Sequence, residues 1–349
     1  MNRVLSLTAA ALCLAHASCS VAADPPVPAP DNKGSAASSA AERTVIATWN
    51  LEWFFDDHLG DNYQDLPKKL SAPNREEWQW RLSHVAHAIA RLQPTILALQ
   101  EVESDRTVWY LTQELKRKHQ LKYRIAFIQG TDFYTEQDVA VLYRDGLVEY
   151  SRRLQTEAQW ESRQFYNVNK HILCRFQWGE GEQREDLLLV NVHLRATPDA
   201  ANIRIRQARL IRSWIADATR AGQNVIVLGD INTEVNFGQE TARDEVGILR
   251  GLATADERDD LFDLNRYLED TQRNTHLIGR QFDRIFVSRS LLEDDPAKRD
   301  LHFDRIGNRK DVAIIGKPDA DHYNIYYTIP QAERDLSDHY PLVAEFLFE

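Results

Sequence analysis

Asn50, Glu101, Asn191, His193, Asp230, Asn232, Asp338 and His339 share one property: each borders a strongly apolar run. Asn50 closes VIATWN and Glu101 follows ILALQ. Asn191 and His193 end LLLVNVH, Asp230 and Asn232 end VIVLGDIN, and Asp338 and His339 stand just before LVAEF. Carboxylates and an amide oxygen are hard ligands suited to Mg²⁺, Mn²⁺ or Ca²⁺. Histidines beside carboxylates can face or protonate a phosphate oxygen. An aspartate can orient and deprotonate a water. Together these are the parts of phosphoester hydrolysis: a water, a base and positive charge over the phosphoryl group. Taken one at a time, each has an ordinary reading as a turn residue, a strand end or a structural histidine. Zinc fits less well, because there is no cysteine cluster and no HExxH helix. The absence of a glycine-rich P-loop and of a GxSxG turn argues against nucleotide-driven phosphoryl transfer and serine esterase chemistry.

The elements that must position these residues alternate along the chain. Strands are predicted over 44–50, 95–99, 138–143, 187–194 and 225–228, with 285–287 and 342–348 as the last two. Asn74 caps a helix whose Leu82, Val85, Ala86, Ile89 and Leu92 recur at steps of three and four, and Pro94 ends it. A second helix is predicted over 202–218. Runs this apolar are buried on both faces or in a sandwich core. Polar residues at their ends therefore collect at one rim, where a cleft can form.

The chain has 349 residues, 42 of them basic and 53 acidic, for a net charge of −11. At 43% hydrophobic it has enough apolar sequence for a large core and too much for disorder. The acidic balance argues against a protein that coats nucleic acid by bulk charge, though not against an enzyme that cuts it locally. Residues 1–23 have the layout of a signal peptide, with Arg3, an apolar run and small residues before the cut. That predicts an exported protein, periplasmic or secreted, with no transmembrane segment in its mature form. Cys19 raises a lipoprotein reading, which His16 opposes. Removal of the signal leaves Cys174 as the only cysteine. Residues 24–42 are rich in Pro, Ala and Ser and read as a flexible linker. Residues 43–349 remain as one catalytic domain, expected to be a monomer.

In order, TWNLEW around Asn50, LALQEV around Glu101, DVAVLYR from Asp138, VNVHLRA around His193, LGDINTE around Asp230, FDRIFVS from Asp283 and LSDHYPLVAEF around His339 appear along the chain. This series resembles the DNase I-like endonuclease/exonuclease/phosphatase family, in an exported bacterial-type form, over nearly the whole mature chain. The resemblance implies an α/β fold: a four-layered α/β sandwich of two mixed sheets flanked by helices. It also implies metal-dependent cleavage of a phosphoester by an activated water. By motif, Glu101 is the principal metal ligand, with Asn50 close by and Asp338 on the same or a second ion. The implied ion is Mg²⁺ or Mn²⁺, with Ca²⁺ as an alternative. Asp230 is the implied base, Asn232 holds the water or phosphate, and His193 faces the phosphate. His339 contacts the scissile group and Asp283 orients it. Asn191 and Arg195 are assigned to substrate binding.

Substrate choice divides into three readings. The leading one is an exported nuclease acting on DNA, with RNA as a variant, and nucleic acid as its only implied partner. Arg204, Arg206, Arg209 and Arg212, clustered on one helix, are either phosphate contacts or a solvated face. The second is a phosphodiesterase or phosphatase on a small or lipid phosphoester, such as sphingomyelin or an inositol phosphate. It calls for an exposed apolar hairpin beside the cleft, and Trp53, Phe54 and Phe55 are the candidates. The third, a binding module without catalysis, is opposed by the presence of Glu101, Asp230 and His339. Two insertions, 237–282 and 298–335, are expected near the site. The second carries His322, Tyr323, Tyr326 and Tyr327, read as a packed hairpin in preference to a base-stacking platform.

Overall fold

The computed structural model describes residues 42–295, 300–316 and 322–348. The expected signal peptide and linker lie outside the described residues, apart from Glu42. The strands are β1 (Glu42–Phe54), β2 (Ile96–Val102), β3 (Arg124–Phe127), β4 (Asp138–Tyr143), β5 (Leu147–Ser151), β6 (Lys170–Trp178), β7 (Glu185–His193), β8 (Asn224–Asp230), β9 (Leu261–Asp263), β10 (Asp283–Ser288), β11 (Leu301–Asn308) and β12 (Leu342–Phe348). The helices are α1 (Asp65–Leu70), α2 (Arg75–Leu92), α3 (Asp105–His119), α4 (Glu157–Glu161), α5 (Ala201–Arg220), α6 (Glu245–Arg250), α7 (Lys310–Ala313) and α8 (His322–Ile325).

The strands form two six-stranded sheets, in the orders β11-β12-β1-β2-β4-β3 and β5-β6-β7-β8-β10-β9. Each is mixed, with one parallel pair, β1–β2 in the first and β7–β8 in the second, among antiparallel ones. The two-residue period of a strand sorts the apolar side chains into layers. Ile46, Ile96, Ala98 and Val141 face Ile172, Leu189, Ile226 and Ile285 between the sheets. Their neighbours Ala47, Leu97, Leu99 and Leu142 face outward onto Val85, Ile89, Val108 and Leu111 of α2 and α3. On the other side, Val190, Val192, Val225 and Val227 pack on Leu210, Ile211, Trp214 and Ile215 of α5. This is the expected four-layered α/β sandwich.

The helix after Asn74 forms as expected. The Asn74 side chain accepts from Glu77 N–H, and Gln93 closes the helix in a left-handed conformation just before Pro94. Two expectations change. β11 lies between the two strands read as the last, pairing with β12 along an edge of the first sheet. Its residues are mostly half-exposed, so it lacks the apolar run of a buried strand. The tyrosine segment is also not a hairpin, since 322–328 is a short α-helix followed by a 3₁₀ turn.

The arginines of α5 take part in structure. Arg204 is fully buried and donates to Glu245, Arg195 O and Thr197 O. Arg212 pairs with the buried Asp259, Arg206 holds Phe165 O, and Arg209 donates to Gln164. Arg204 and Arg212 are locked by partners far along the chain and are not free for phosphate. Arg204→Met is expected to cost about 3–5 kcal/mol, because it strands the Glu245 carboxylate in the interior. Urea unfolding measures this, and a loss below about 1 kcal/mol would show that the pair contributes little.

Candidate active site

Strand register assembles most of the site. Lys170 of β6 pairs with His193 of β7, His193 with Asp230 of β8, and Asp230 with Asp283 of β10. These four polar residues form one row across the second sheet. On the first sheet, Asn50 of β1 pairs with Gln100 of β2. The register slips at the next residue, Glu101, which adopts a left-handed conformation (φ 57°). Such a bulge re-aims a side chain at a strand end. The Glu101 carboxylate then accepts from Asn50 Nδ2 at 3.2 Å and from Trp53 N–H at 3.0 Å.

Past Asn50 the backbone is strained, with Glu52 and Trp53 both at positive φ (46° and 50°). The buried Arg81 of α2 stabilises this kink by donating to the carbonyls of Leu51, Glu52 and Trp53. The kink directs Glu52 inward, where its Oε2 accepts from Asp338 N–H and meets His322 Nδ1 at 2.6 Å.

Glu101, His193 and Asp230 each present a ligand atom within 4.8 Å of the others, as do His276, Asp338 and His339. His193 Nε2 lies 3.5 Å from Asp230 Oδ2 and 3.8 Å from Glu101 Oε1. Both His193 nitrogens are buried without a hydrogen bond. Burial, then the charges of Lys170 and His339, hold its pKa well below the imidazole range, so the ring is neutral. His339 is the opposite case. Burial works against its charge, yet the carboxylates of Asp283 and Asp230 hold it well above the ordinary value. Its Nδ1 is 2.8 Å from Asp283 Oδ2, and its Nε2 is 3.7 Å from Asp230 Oδ2. The two histidines thus sit side by side in different charge states.

Burial, then the Asp338 carboxylate, push Glu101 up to about 7. Burial also raises Asp230, against the pull of His339. Asp338 is held low against burial by His276 and His339. Three carboxylates crowd a largely buried space, and Asp338 Oδ1 and both His193 nitrogens have no hydrogen-bond partner there. That donor set of carboxylate oxygens and a neutral imidazole fits a divalent cation held by Glu101, with Asp230, His193 or Asp338 beside it.

Several assignments change in detail. Asn50 presents its amide N–H₂ to Glu101 Oε1 and Asp230 Oδ2 (2.9 Å for the latter), while its oxygen accepts from Glu52 N–H. It bridges the two carboxylates, and its oxygen is not offered to a metal. Asn191 is fully buried, accepting from Gln100 and donating to Leu99 O and Ala140 O. It ties the two sheets together and has no free group for substrate. Asn232 donates its N–H to Asp230 Oδ1 at 2.8 Å and its amide to Leu194 O, so it fixes Asp230. Arg195 is exposed beyond the end of β7.

Four residues were missed. Lys170 sits beside His193 and is held by Gln137 and Asp132. Gln100 joins Thr48 to Asn191 between the sheets. Glu52 holds the loop of Asp338. His276, from the first insertion, points Nε2 at Asp338 Oδ2 at 3.2 Å while its Nδ1 accepts from Ile278 N–H. Lys170 stands at the start of β6, where the apolar pattern predicts no strand, and nothing local marks His276.

Trp53, Phe54 and Phe55 are buried. Their burial under α1 and α2 removes the exposed hairpin that a lipid enzyme was expected to carry. Among the described residues no helix is long and apolar enough to cross a membrane.

A family model described as endonuclease/exonuclease/phosphatase family matches residues 47–339. No curated protein matches the sequence. Among solved structures, the human nocturnin catalytic domain is similar at 18% identity, covering 88% of this chain and 95% of that one, with a TM-score of 0.54. An endonuclease/exonuclease/phosphatase family protein from Bacteroides thetaiotaomicron is similar at 16% identity, covering 89% and 100%, also at 0.54. TDP2 from Caenorhabditis elegans is similar at 16% identity, covering 88% and 74%, at 0.50. At these identities the likeness concerns the fold.

Proposed function

The chain belongs to the endonuclease/exonuclease/phosphatase family, and from that premise we propose that it is an exported, divalent-metal-dependent nuclease that hydrolyses phosphodiester bonds in DNA. The observation that carries the reading is the cluster of Glu101, His193 and Asp230, with His339 Nε2 3.7 Å from Asp230 Oδ2. Mg²⁺ or Mn²⁺ held at Glu101 would supply Lewis-acid stabilisation of the charge that develops on phosphate oxygens.

The chain's own residues divide the remaining work. Asp230, fixed by Asn50 and Asn232 and raised by burial, is placed to orient a water and take its proton. The water oxygen bonds to phosphorus as the bond to the leaving oxygen breaks. His339, kept cationic by Asp283, faces the negative charge of the phosphoryl group. His193, neutral and without a hydrogen bond, offers a nitrogen to either the cation or a phosphate oxygen. The buried Trp53–Phe55 segment leaves the lipid reading without its specific support.

The test uses plasmid DNA with Mg²⁺ or Mn²⁺ and then excess chelator. Nicking or linearisation is expected with metal and a loss of more than about 10²-fold without it. Activity undiminished in chelator would overturn the mechanism. Hydrolysis of a generic phosphodiester without DNA cleavage would move the substrate to a small phosphoester.

A further inference from the structure

Four aromatic side chains stand exposed beside the catalytic cluster: Tyr63 (76% exposed), Phe133 (67%), Tyr134 (68%) and Tyr323 (41%). Rings this exposed contribute little to folding. Gathered at the rim of a cleft, they mark a binding surface. They come from three segments, the stretch after β1, the β3–β4 loop and α8.

Contacts join these segments to one another and tie Tyr323 and the Tyr134 backbone to the site. Tyr323 touches Trp53, with ring centroids 6.3 Å apart, and Trp53 N–H holds the Glu101 carboxylate. Tyr134 N–H donates to Asp132, whose carboxylate meets Lys170 Nζ at 3.2 Å, and Lys170 is the register partner of His193. Phe133 stacks on Tyr63 at 6.4 Å with planes 29° apart. The N–H groups of Tyr63 and Gln64 both donate to Glu136, joining the two loops. Burial, then the neighbouring Tyr134 and Glu101, raise the Tyr323 phenol above its ordinary value.

Between these loops lies a groove of about 400 Å³ lined by Tyr63, Phe133, Asp61, Asp132 and Glu136 among others. Its carboxylates disfavour an extended phosphate backbone. They leave the rings, and hydrogen-bond donors such as exocyclic amino groups, as what the groove can recognise. Arg195 is exposed at the end of β7, on the opposite sheet, where a backbone could run instead.

We propose that Tyr63, Phe133, Tyr134 and Tyr323 form a stacking subsite for unpaired nucleobases flanking the scissile phosphate, so that the substrate is single-stranded or locally opened nucleic acid. Every base has a face that stacks, so such a subsite tolerates any sequence. The inference rests on the nuclease reading above, and its test separates the two.

The experiment compares an oligonucleotide with an abasic strand of the same length and backbone. Cleavage is measured with wild-type protein, and binding by fluorescence anisotropy on Glu101→Gln. Wild-type protein is expected to prefer the base-bearing strand by roughly tenfold or more. Tyr134→Ala/Tyr323→Ala and Tyr63→Ala/Phe133→Ala should each lose most of that ratio. Circular dichroism confirms that the variants, altered only at exposed positions, are folded. An equal preference in wild type and variants would overturn the subsite, as would no preference in the wild type. Base-dependent binding without cleavage would leave the subsite standing and remove the nuclease reading. If the variants instead lost sedimentation with sphingomyelin vesicles while keeping their base preference, a lipid surface would replace the nucleobase as occupant.

Discussion

Glu101→Gln is expected to lower turnover of any phosphodiester by about 10²-fold or more, with little change in the thermal midpoint. Gln keeps the shape, and its one amide oxygen can accept from Asn50 Nδ2 or from Trp53 N–H, the two donors that Glu101 satisfies with separate oxygens. What it removes is the charge at a strand position that a register slip delivers to the rim. The same residue sets a pH dependence. Burial and Asp338 push Glu101 up to about 7. A cation needs the deprotonated form, which prevails above that value. The free protein's affinity for Mn²⁺ should therefore fall by up to about tenfold per pH unit below 7 and level off above it. Calorimetric titration with Mn²⁺ at several pH values reads this directly, and Glu101→Gln should flatten the dependence. A full-activity Glu101→Gln protein would remove Glu101 from the metal site altogether.

Of the strands nearest the chemistry, β1, β2, β7, β8 and β10 were legible as continuous apolar runs, whereas β6, which carries Lys170, was not predicted. The expected 138–143 and 342–348 match β4 and β12 residue for residue. The edges were not legible. β5 is mostly exposed and β11 mostly half-exposed, so neither edge carries much apolar signal. At the site, placing reactive residues at strand ends located Glu101, His193, Asp230 and His339 together, because a common rim follows from the sandwich. It could not tell which face a residue takes. Asn191 and His193 share a face of β7, yet Asn191 lies deeper and is consumed between the sheets. Nor could it see partners set by distant chain segments. The α5 arginines read equally as phosphate contacts or a solvated face, and Arg204 and Arg212 are neither, because Glu245 and Asp259 pair with them from distant segments. His276 reaches Asp338 from the first insertion and Glu52 reaches it from the kink past Asn50, contacts that only the fold creates.

His339 carries the second large effect, and Asp283 determines its form. His339→Ala is expected to lower turnover by about 10²-fold or more, since it removes a cation aimed at the phosphoryl charge. Asp283→Asn should cost less, because the ring stays in place. Its signature is a change in pH profile. In the native protein the carboxylates of Asp283 and Asp230 hold the imidazolium against burial, so the ring stays charged well above its ordinary value. Without the Asp283 charge, burial gains weight and the folded-state value falls toward or below the ordinary 6.5. The ring is then neutral at pH 8, so activity should decline on the alkaline side of neutrality, where native activity does not. The double variant should be no worse than His339→Ala alone, because Asp283 acts through that ring. Additive losses in the double variant would mean that Asp283 touches substrate in its own right. An unshifted profile in Asp283→Asn would mean that Asp230 alone suffices to keep His339 charged.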